Sequence, residues 1–310
     1  MSGATNSDSV SVVIAAYNAA EWISATLRSI LDQTREAHEI LVVDDGSSDD
    51  TVELVRLYGR RVNYIRRDHR GQPAARNAGI RAVTGDLIAF CDADDVWRPR
   101  KLEAQIEKLR AQGCAWVVCD ADWMDYDGNP VEVSMPSLRE GNVLESLFLG
   151  NFIKSATPMV RREVFEEVGY FNETLGARIG EDWDMWLRIA ARYPLGVVPE
   201  KLATVRLHTK SMLAQTTVAE RTQGLRDVVE RAVASHPERL GPLEDRALAA
   251  IWHFAGVDSI RSGHFEEAQG YFRQELRCRP WNLATLTVLL LCGLGPRIAG
   301  PVLRFKRILW

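Results

Sequence analysis

Apolar and polar positions alternate between two periods along the first third of the chain. Ser9-Val10-Ser11-Val12-Val13-Ile14-Ala15-Ala16 is a short β-branched run that stops at the turn signal Tyr17-Asn18. Trp22, Ile23, Leu27, Ile30 and Leu31 then recur at near-helical spacing. Glu39 to Val43 is a second apolar run, closed by the polar stretch Asp44 to Thr51, where Ser47 or Ser48 can cap a helix carrying Val52, Leu54, Val55 and Tyr58. Val62 to Ile65 reads as a third strand, Pro73 to Val83 as a helix, and Asp86 to Cys91 as a fourth strand. Strands alternating with helices predict parallel βαβ units and an α/β fold.

The pattern continues less regularly. Arg100 to Ala111 predicts an amphipathic helix with Pro99 near its first turn, and Ala115 to Cys119 another strand. Tyr126 to Pro130 reads as a hairpin turn, residues 131–158 carry little pattern, Glu181 to Tyr193 reads as a helix and Leu195 to Arg206 as a strand. From about Thr216 the chain turns helical, with segments around Leu225 to Val233, Arg246 to Ile260 and Glu266 to Leu276. Arg261 to Ala268, with Phe272, Leu276, Pro280 and Asn282, resembles one tetratricopeptide-type helical pair. A single pair cannot bury its own apolar face, so packing on the preceding domain is expected rather than an array. The expected organisation is a disordered tail over residues 1–8, an α/β domain over 9–213 and a helical region over 214–310 ending in a basic, apolar tail.

Chemistry concentrates at the strand ends. Phe90-Cys91-Asp92-Ala93-Asp94-Asp95 sets three carboxylates within four residues directly after an apolar run. Carboxylates so close repel unless a cation or hydrogen-bond donors neutralise them. Hard oxygens select Mg2+ or Mn2+, which complete their shells with water and substrate phosphates. The plainer alternative is a solvated acidic turn. In open parallel sheets ligands sit beyond the carboxyl ends of the strands, and Tyr17-Asn18, Asp44-Asp45 and Asp92/Asp94 all fall there.

Ile14-Ala15-Ala16-Tyr17-Asn18, Val42-Val43-Asp44-Asp45-Gly46-Ser47, Ala75-Arg76-Asn77-Ala78-Gly79 and Asp92-Ala93-Asp94-Asp95, in that order and spacing, resemble the family 2 glycosyltransferases. Gly180-Glu181-Asp182-Trp183-Asp184-Met185-Trp186 and Arg206-Leu207-His208 fit the same pattern, so the likeness runs from about Val10 to about Ser211. The resemblance implies a GT-A fold with a mostly parallel sheet, a nucleotide-sugar donor and transfer with inversion. It implies base contacts from Tyr17 and Asp45, with Ala15, Asn18 and Asp44 lining the same nucleotide subsite. Arg76 and Asn77 are either diphosphate or ribose contacts or structural helix residues. Asp92 would reach the ribose or a metal-bound water, Asp94 would hold the metal, and His208 would assist with metal or diphosphate. Asp182 matches the catalytic base, with Glu181 and Asp184 as rivals, although Asp184 and Arg188 at i and i+4 also suit a helix pair. Trp183 and Trp186 are candidates for an acceptor-side platform or for the core. Lys210 and Ser211 would touch phosphate in a closing segment.

Composition narrows the field. At 310 residues with net charge −4, the chain lacks the basic face of a nucleic-acid binder. Arg66, Arg67 and Arg70 form a local cluster that reads as a solvated loop, with a phosphate or acidic-acceptor contact as the alternative. Five scattered cysteines without CxxC spacing fit reduced, buried thiols in a cytoplasmic protein. The first residues have no signal-peptide core, and no run is long enough to span a bilayer. Between Asn282 and Trp310, Arg297, Arg304, Lys306 and Arg307 face no acid among many apolar residues, which suits peripheral contact with the inner face of the plasma membrane. The expected activity is metal-dependent sugar transfer from a UDP-sugar to a saccharide or lipid-linked acceptor, with Mn2+ or Mg2+. A non-catalytic nucleotide-sugar-binding scaffold and a sugar nucleotidyltransferase are the alternatives. The second suffers from having no glycine in Ala15 to Ala20.

Overall fold

The computed structural model describes residues 8–175 and 179–293. Residues 1–7 of the expected tail and 294–310 of the basic C-terminal segment lie outside the described residues. Asp8, assigned by sequence to the tail, is buried and pairs with Arg110. The chain divides into two compact units, with the main division between Ser211 and Met212.

The described part of the first unit comprises residues 8–144, 152–175 and 181–211. Its strands are β1 (Val10–Ala16), β2 (Glu39–Asp44), β3 (Asn63–Arg66), β4 (Leu87–Asp92), β5 (Val96–Trp97), β6 (Trp116–Met124), β7 (Pro130–Val131), β8 (Met159–Arg161) and β9 (Leu195–Arg206). Among the described residues they form one sheet in the order β3-β2-β1-β4-β8-β6-β9-β5, with β7 on β6. The half β3-β2-β1-β4 is parallel, as the alternating pattern requires. Beyond β4 the pairing turns antiparallel through β8, a short strand just after the weakly patterned region, and β6 then pairs β9 in parallel.

β1 is buried at all seven positions, so it shows no polar alternation; helices cover both of its faces. Helices α1 (Ile23–Leu31), α2 (Thr51–Arg56), α3 (Gln72–Ala82) and α4 (Lys101–Gln112) supply the cover. α3 closes on β1 at Gly79, where an added Cβ would stand 2.4 Å from Val13 Cγ1. α4 ends at Gly113 with φ +61°, the left-handed stop that glycine adopts without strain. α6 (Arg162–Val168) precedes α7 (Glu181–Ala190), whereas α5 (Leu144–Phe148) belongs from Glu145 on to the second unit. In α7, Arg188 pairs with Asp184 at 2.9 Å, so this aspartate is the helix partner that its spacing suggested. The register sets Ala16 opposite Asp44 and Ala15 opposite Asp92, bringing the ends of β1, β2 and β4 to one edge.

The second unit consists mainly of helices: α8 (Met212–Gln215), α9 (Val218–Ser235), α10 (Pro237–Leu240), α11 (Glu244–Arg261), α12 (Phe265–Cys278) and α13 (Leu283–Gly293). Thr217 and Glu220 form a reciprocal capping box at the start of α9. Gly256 lets α11 meet the Phe272 ring of α12, since a Cβ there would lie 2.6 Å from that ring. Val257, Ile260, Phe265, Ala268, Phe272, Val288 and Cys292 form the core of these last three helices. Glu275, buried on α12, accepts from Asn282 Nδ2 at 2.8 Å and Thr285 Oγ1 at 2.7 Å, and its other oxygen lies 2.9 Å from His253 Nδ1.

Candidate functional site

The loops after β1 and β2 are laced together before any ligand is considered. Asn18 adopts φ +48°, which asparagine tolerates better than most residues. Its backbone N–H donates to Ser47 Oγ at 2.9 Å, and its side-chain oxygen accepts from the Ser48 N–H at 2.8 Å. Asn18 is therefore a fastener between two loops. Tyr17 beside it is 51 % exposed and stacks on His69, with ring centroids 4.3 Å apart. Ala15 and Ala16 contribute only small buried side chains.

Asp44 and Asp45 are both buried, and their surroundings differ. Asp44 accepts from Tyr64 Oη at 2.6 Å and from the Ser47 N–H at 2.9 Å. Burial, reinforced by Asp44, pushes the Tyr64 hydroxyl up to about 12. The expectation that Asp44 contacts nucleotide gives way: it is enclosed beneath the strand end and spent on local structure. Asp45 faces the loop after β3. Its carboxylate accepts from the N–H groups of Arg70 at 3.1 Å and Gly71 at 2.7 Å, and lies 2.8 Å from His69 Nδ1 and 3.4 Å from Arg67 Nε. The arginine cluster is thus only partly a solvated loop. Arg66 donates to the Ser47 carbonyl and Arg67 leans on Asp45, while Arg70 is exposed and pairs with Glu173. Strand-end carboxylates drew this cationic loop inward, and its sequence held no sign of that.

The end of β4 is organised by Arg76 of α3. The buried guanidinium donates to Asp92 Oδ1 at 2.8 Å and to Glu181 Oε1 at 3.1 Å. Burial works against its charge, but Asp92, Glu181 and Asp182 outweigh that and raise its pKa. Asp92 also accepts from Gln72 Nε2 at 2.8 Å and from Ser155 Oγ, so both its oxygens are occupied by protein donors. The resemblance offered Asp92 a ribose or a metal-bound water; here Arg76, Gln72 and Ser155 hold it. Asn77 does not open toward the crevice: it exchanges hydrogen bonds with the backbone of Phe171 and donates to Glu173. Its role is to tether that segment to α3.

Asp94 is the cluster's more open acid. His208 Nε2 stands 2.8 Å from its Oδ2. The imidazole lies against Trp22 at 4.1 Å between centroids, and its Nδ1 is buried without a hydrogen-bond partner among the described residues. Asp95 is buried; burial first, then Asp94 and Asp92, hold its pKa well above the usual carboxylate range. The Arg206 N–H donates to Asp95, and Arg206 Nε donates to the Asp94 carbonyl, so the end of β9 is stitched to the acidic turn. Lys210 Nζ and Tyr126 Oη both reach Glu21, which holds the segment after β9 beside the loop that carries Trp22.

α7 begins at the acid pair. Glu181 is buried, and burial together with Asp182 pushes it up to about 7 even though Arg76 pulls it down. Asp182 is half-buried in the same first turn, where the Trp183 N–H donates to it at 2.7 Å. The tryptophans that follow do not form an open platform. Trp183 is buried and Trp186, 1 % exposed, sits among Phe90, Trp116 and Phe171. Arg76 therefore links the Asp92 end of β4 with the start of α7, and Asp94 with His208 forms a second pair two residues farther along the chain from Asp92. Gln72, Ser155, His69, Trp22 and Glu21 are participants that periodicity did not reveal. Ser155 lies in the unpatterned stretch, and the others lie at loop or helix-start positions whose partners come from distant strands.

Comparison with known proteins gives this geometry a family. The Glycosyl transferase family 2 model matches residues 11–169, just over half of the chain. An uncharacterised glycosyltransferase of Rickettsia conorii is 32% identical over 204 residues, covering 65% of this chain and 33% of that protein, so the chain spans about a third of that relative's length. TuaG of Bacillus subtilis, whose name assigns it to teichuronic acid biosynthesis, is 30% identical over 212 residues, 66% of this chain and 81% of that protein. The crystal structure of S. aureus TarS residues 1–349 in complex with UDP-GlcNAc superposes with a TM-score of 0.66 at 16% identity, covering 96% of this chain and 89% of that one, a likeness of fold. By this match over half of its length, and by the relatives it resembles, this chain belongs to glycosyl transferase family 2.

Proposed function

We propose that the chain transfers a sugar from a nucleoside diphosphate donor, a UDP-sugar in preference, to a hydroxyl of a saccharide or lipid-linked acceptor, with inversion at the anomeric carbon. The observation that carries this reading is the Arg76 bridge. It ties Asp92, beside the acidic turn, to Glu181, next to the proposed base Asp182. In the reaction the acceptor oxygen attacks the anomeric carbon and gives its proton to Asp182. The bond from that carbon to the diphosphate oxygen breaks on the opposite face, and its electron pair leaves with the diphosphate. A single displacement of this kind inverts the centre.

A divalent cation suits the donor set. Among the described residues no group of three acidic, histidine or cysteine side chains is arranged to hold a metal. Mg2+ and Mn2+ need no protein cage, because one or two side chains plus phosphate oxygens and water complete their shells. Asp94 and His208 are the two residues that would hold it, Asp92 being occupied elsewhere. When bound, such a cation offsets the charge that develops on the leaving diphosphate.

Uridine is favoured because an imide N–H needs an acceptor and Asp45 has a carboxylate held ready by backbone N–H groups, with the exposed Tyr17 face adjoining through His69. TarS was crystallised with UDP-GlcNAc and with UDP, which agrees with such a donor. The names of TuaG and of the Rhizobium meliloti succinoglycan biosynthesis protein ExoO agree with a saccharide product. The test is a panel of nucleotide-sugars incubated with Mn2+ or Mg2+, first without and then with saccharide acceptors. Metal-dependent turnover lost in Asp94→Ala and Asp182→Asn supports the reading. Binding of nucleotide diphosphate without turnover of any donor would make the chain a nucleotide-sugar-binding scaffold instead.

A further inference from the structure

The end of the second unit presents a surface made of residues to which the proposed sugar transfer assigns no role. Trp281, in the turn between α12 and α13, is 88 % exposed, and Leu283 and Leu290 on α13 are each 74 % exposed. Seven residues are nearly two helical turns, so these two leucines share one side of α13, with Ala284 and Thr287 exposed between them. The other side of the helix is buried through Thr285, Val288 and Cys292. α13 contains no charged residue and is apolar on the face it buries and on the face it shows. An isolated exposed leucine needs no explanation, but a tryptophan and two leucines at this exposure at one corner do.

The corner is held in shape. Glu275 accepts from Asn282 and Thr285, the Arg279 N–H donates to the Glu275 carbonyl, and the Asn282 N–H donates to the Arg279 carbonyl. Trp281 is thus displayed by an ordered turn. Beside it Arg273, Arg277 and Arg279 are exposed and make no ion pair among the described residues. These three arginines stand close together in a chain whose net charge is −4. Glu275 is 2 % exposed, and the two acids of α11 that lie near Cys278, Glu244 and Asp245, leave the three exposed arginines in excess.

We propose that this corner docks on an anionic lipid bilayer, with Trp281, Leu283 and Leu290 in the interface and the arginines against lipid headgroups. Tryptophan favours the boundary between headgroups and acyl chains, and clustered cations add attraction to anionic lipid. Charge selects this partner over two others. A second copy would set one cationic corner against another, and the segment after α13 carries the same sign as the surface it would have to cover. None of the described helices is long and apolar enough to cross a membrane, so the contact is interfacial.

The test floats the full-length chain with vesicles of phosphatidylcholine alone and with vesicles containing about one third phosphatidylglycerol. The expected result is co-flotation with the anionic vesicles and not the neutral ones, reversed by about 0.5 M salt. Trp281→Ser with Leu290→Ser lowers the partition coefficient about tenfold or more. Arg277→Gln and Arg279→Gln each lower it about fivefold at low salt. Both positions are exposed, and an unchanged circular dichroism spectrum checks that the variants fold. The proposal is overturned by absence of binding, by equal binding to neutral vesicles, or by a Trp281/Leu290 variant that floats like the parent. It is equally overturned if sedimentation shows a dimer that those substitutions dissolve.

Discussion

Two acidic clusters close the strands on either side of β1 in the parallel half-sheet, and the structure treats their members differently. At the end of β2, Asp44 is fully buried, and its nearest donors are a tyrosine hydroxyl and a backbone N–H. After β4, Asp94 stays partly open, and its nearest partner is an imidazole. A carboxylate saturated by fixed neutral donors is part of the scaffold, whereas one balanced by a neighbouring ionisable group remains able to exchange that partner for a ligand. Asp44 and Asp94, which read alike in sequence, therefore have separate duties.

Each side of this contrast can be attacked by substitution. The largest effect is expected at Asp94: with Asp94→Ala, sugar transfer falls by about 10²–10³-fold, the usual cost of losing one charge-stabilising group, while the melting temperature holds. Retention of a tenth or more of the parent rate would erase the distinction between the clusters. Next comes Asp44→Ala, which strands the Tyr64 hydroxyl and the Ser47 N–H in a buried place. It should cost about 2–3 kcal/mol in urea unfolding, with nucleotide affinity of the folded fraction unchanged by calorimetry.

Glu181 gives a pH-resolved version. Its carboxyl holds a proton up to about 7 in the folded chain, against 4.5 for the free side chain. Between those values the folded state keeps a proton that the unfolded state has released, so stability falls as pH rises through the window. That contribution is complete below the lower value and gone above the upper one. Glu181→Gln should flatten this slope in denaturation midpoints taken on either side, and should remove a limb near neutrality from the rate profile. The smallest effect is Tyr64→Phe, which removes one hydrogen bond to Asp44 and should cost about 1 kcal/mol with turnover intact.

Much of the frame was legible before any coordinates. The βαβ alternation, the clustering of Tyr17, Asp45 and Asp92 at strand ends, and the Asp184–Arg188 helix pair follow from local spacing, which periodicity reports directly. What escaped depended on partners far along the chain. Asn77 looks like a helix residue facing a crevice until Phe171, 94 positions later, claims both ends of its amide. Trp186 looks like a sugar platform until Phe90 and Trp116 close over it. Arg66 and Arg67 look solvated because nothing nearby in sequence announces that strand-end oxygens will receive them. Composition supplied the residue types and tertiary contact assigned their employment.

Arg76 answers to two acids at once, one on a strand end and one on a helix more than a hundred positions later. Removing it would abandon both inside the protein, and no lone compensating change could rescue them together. Positions 76, 92 and 181 are therefore expected to be inherited as a set, with drift at any one of them tolerated among related chains only where the other two drift as well.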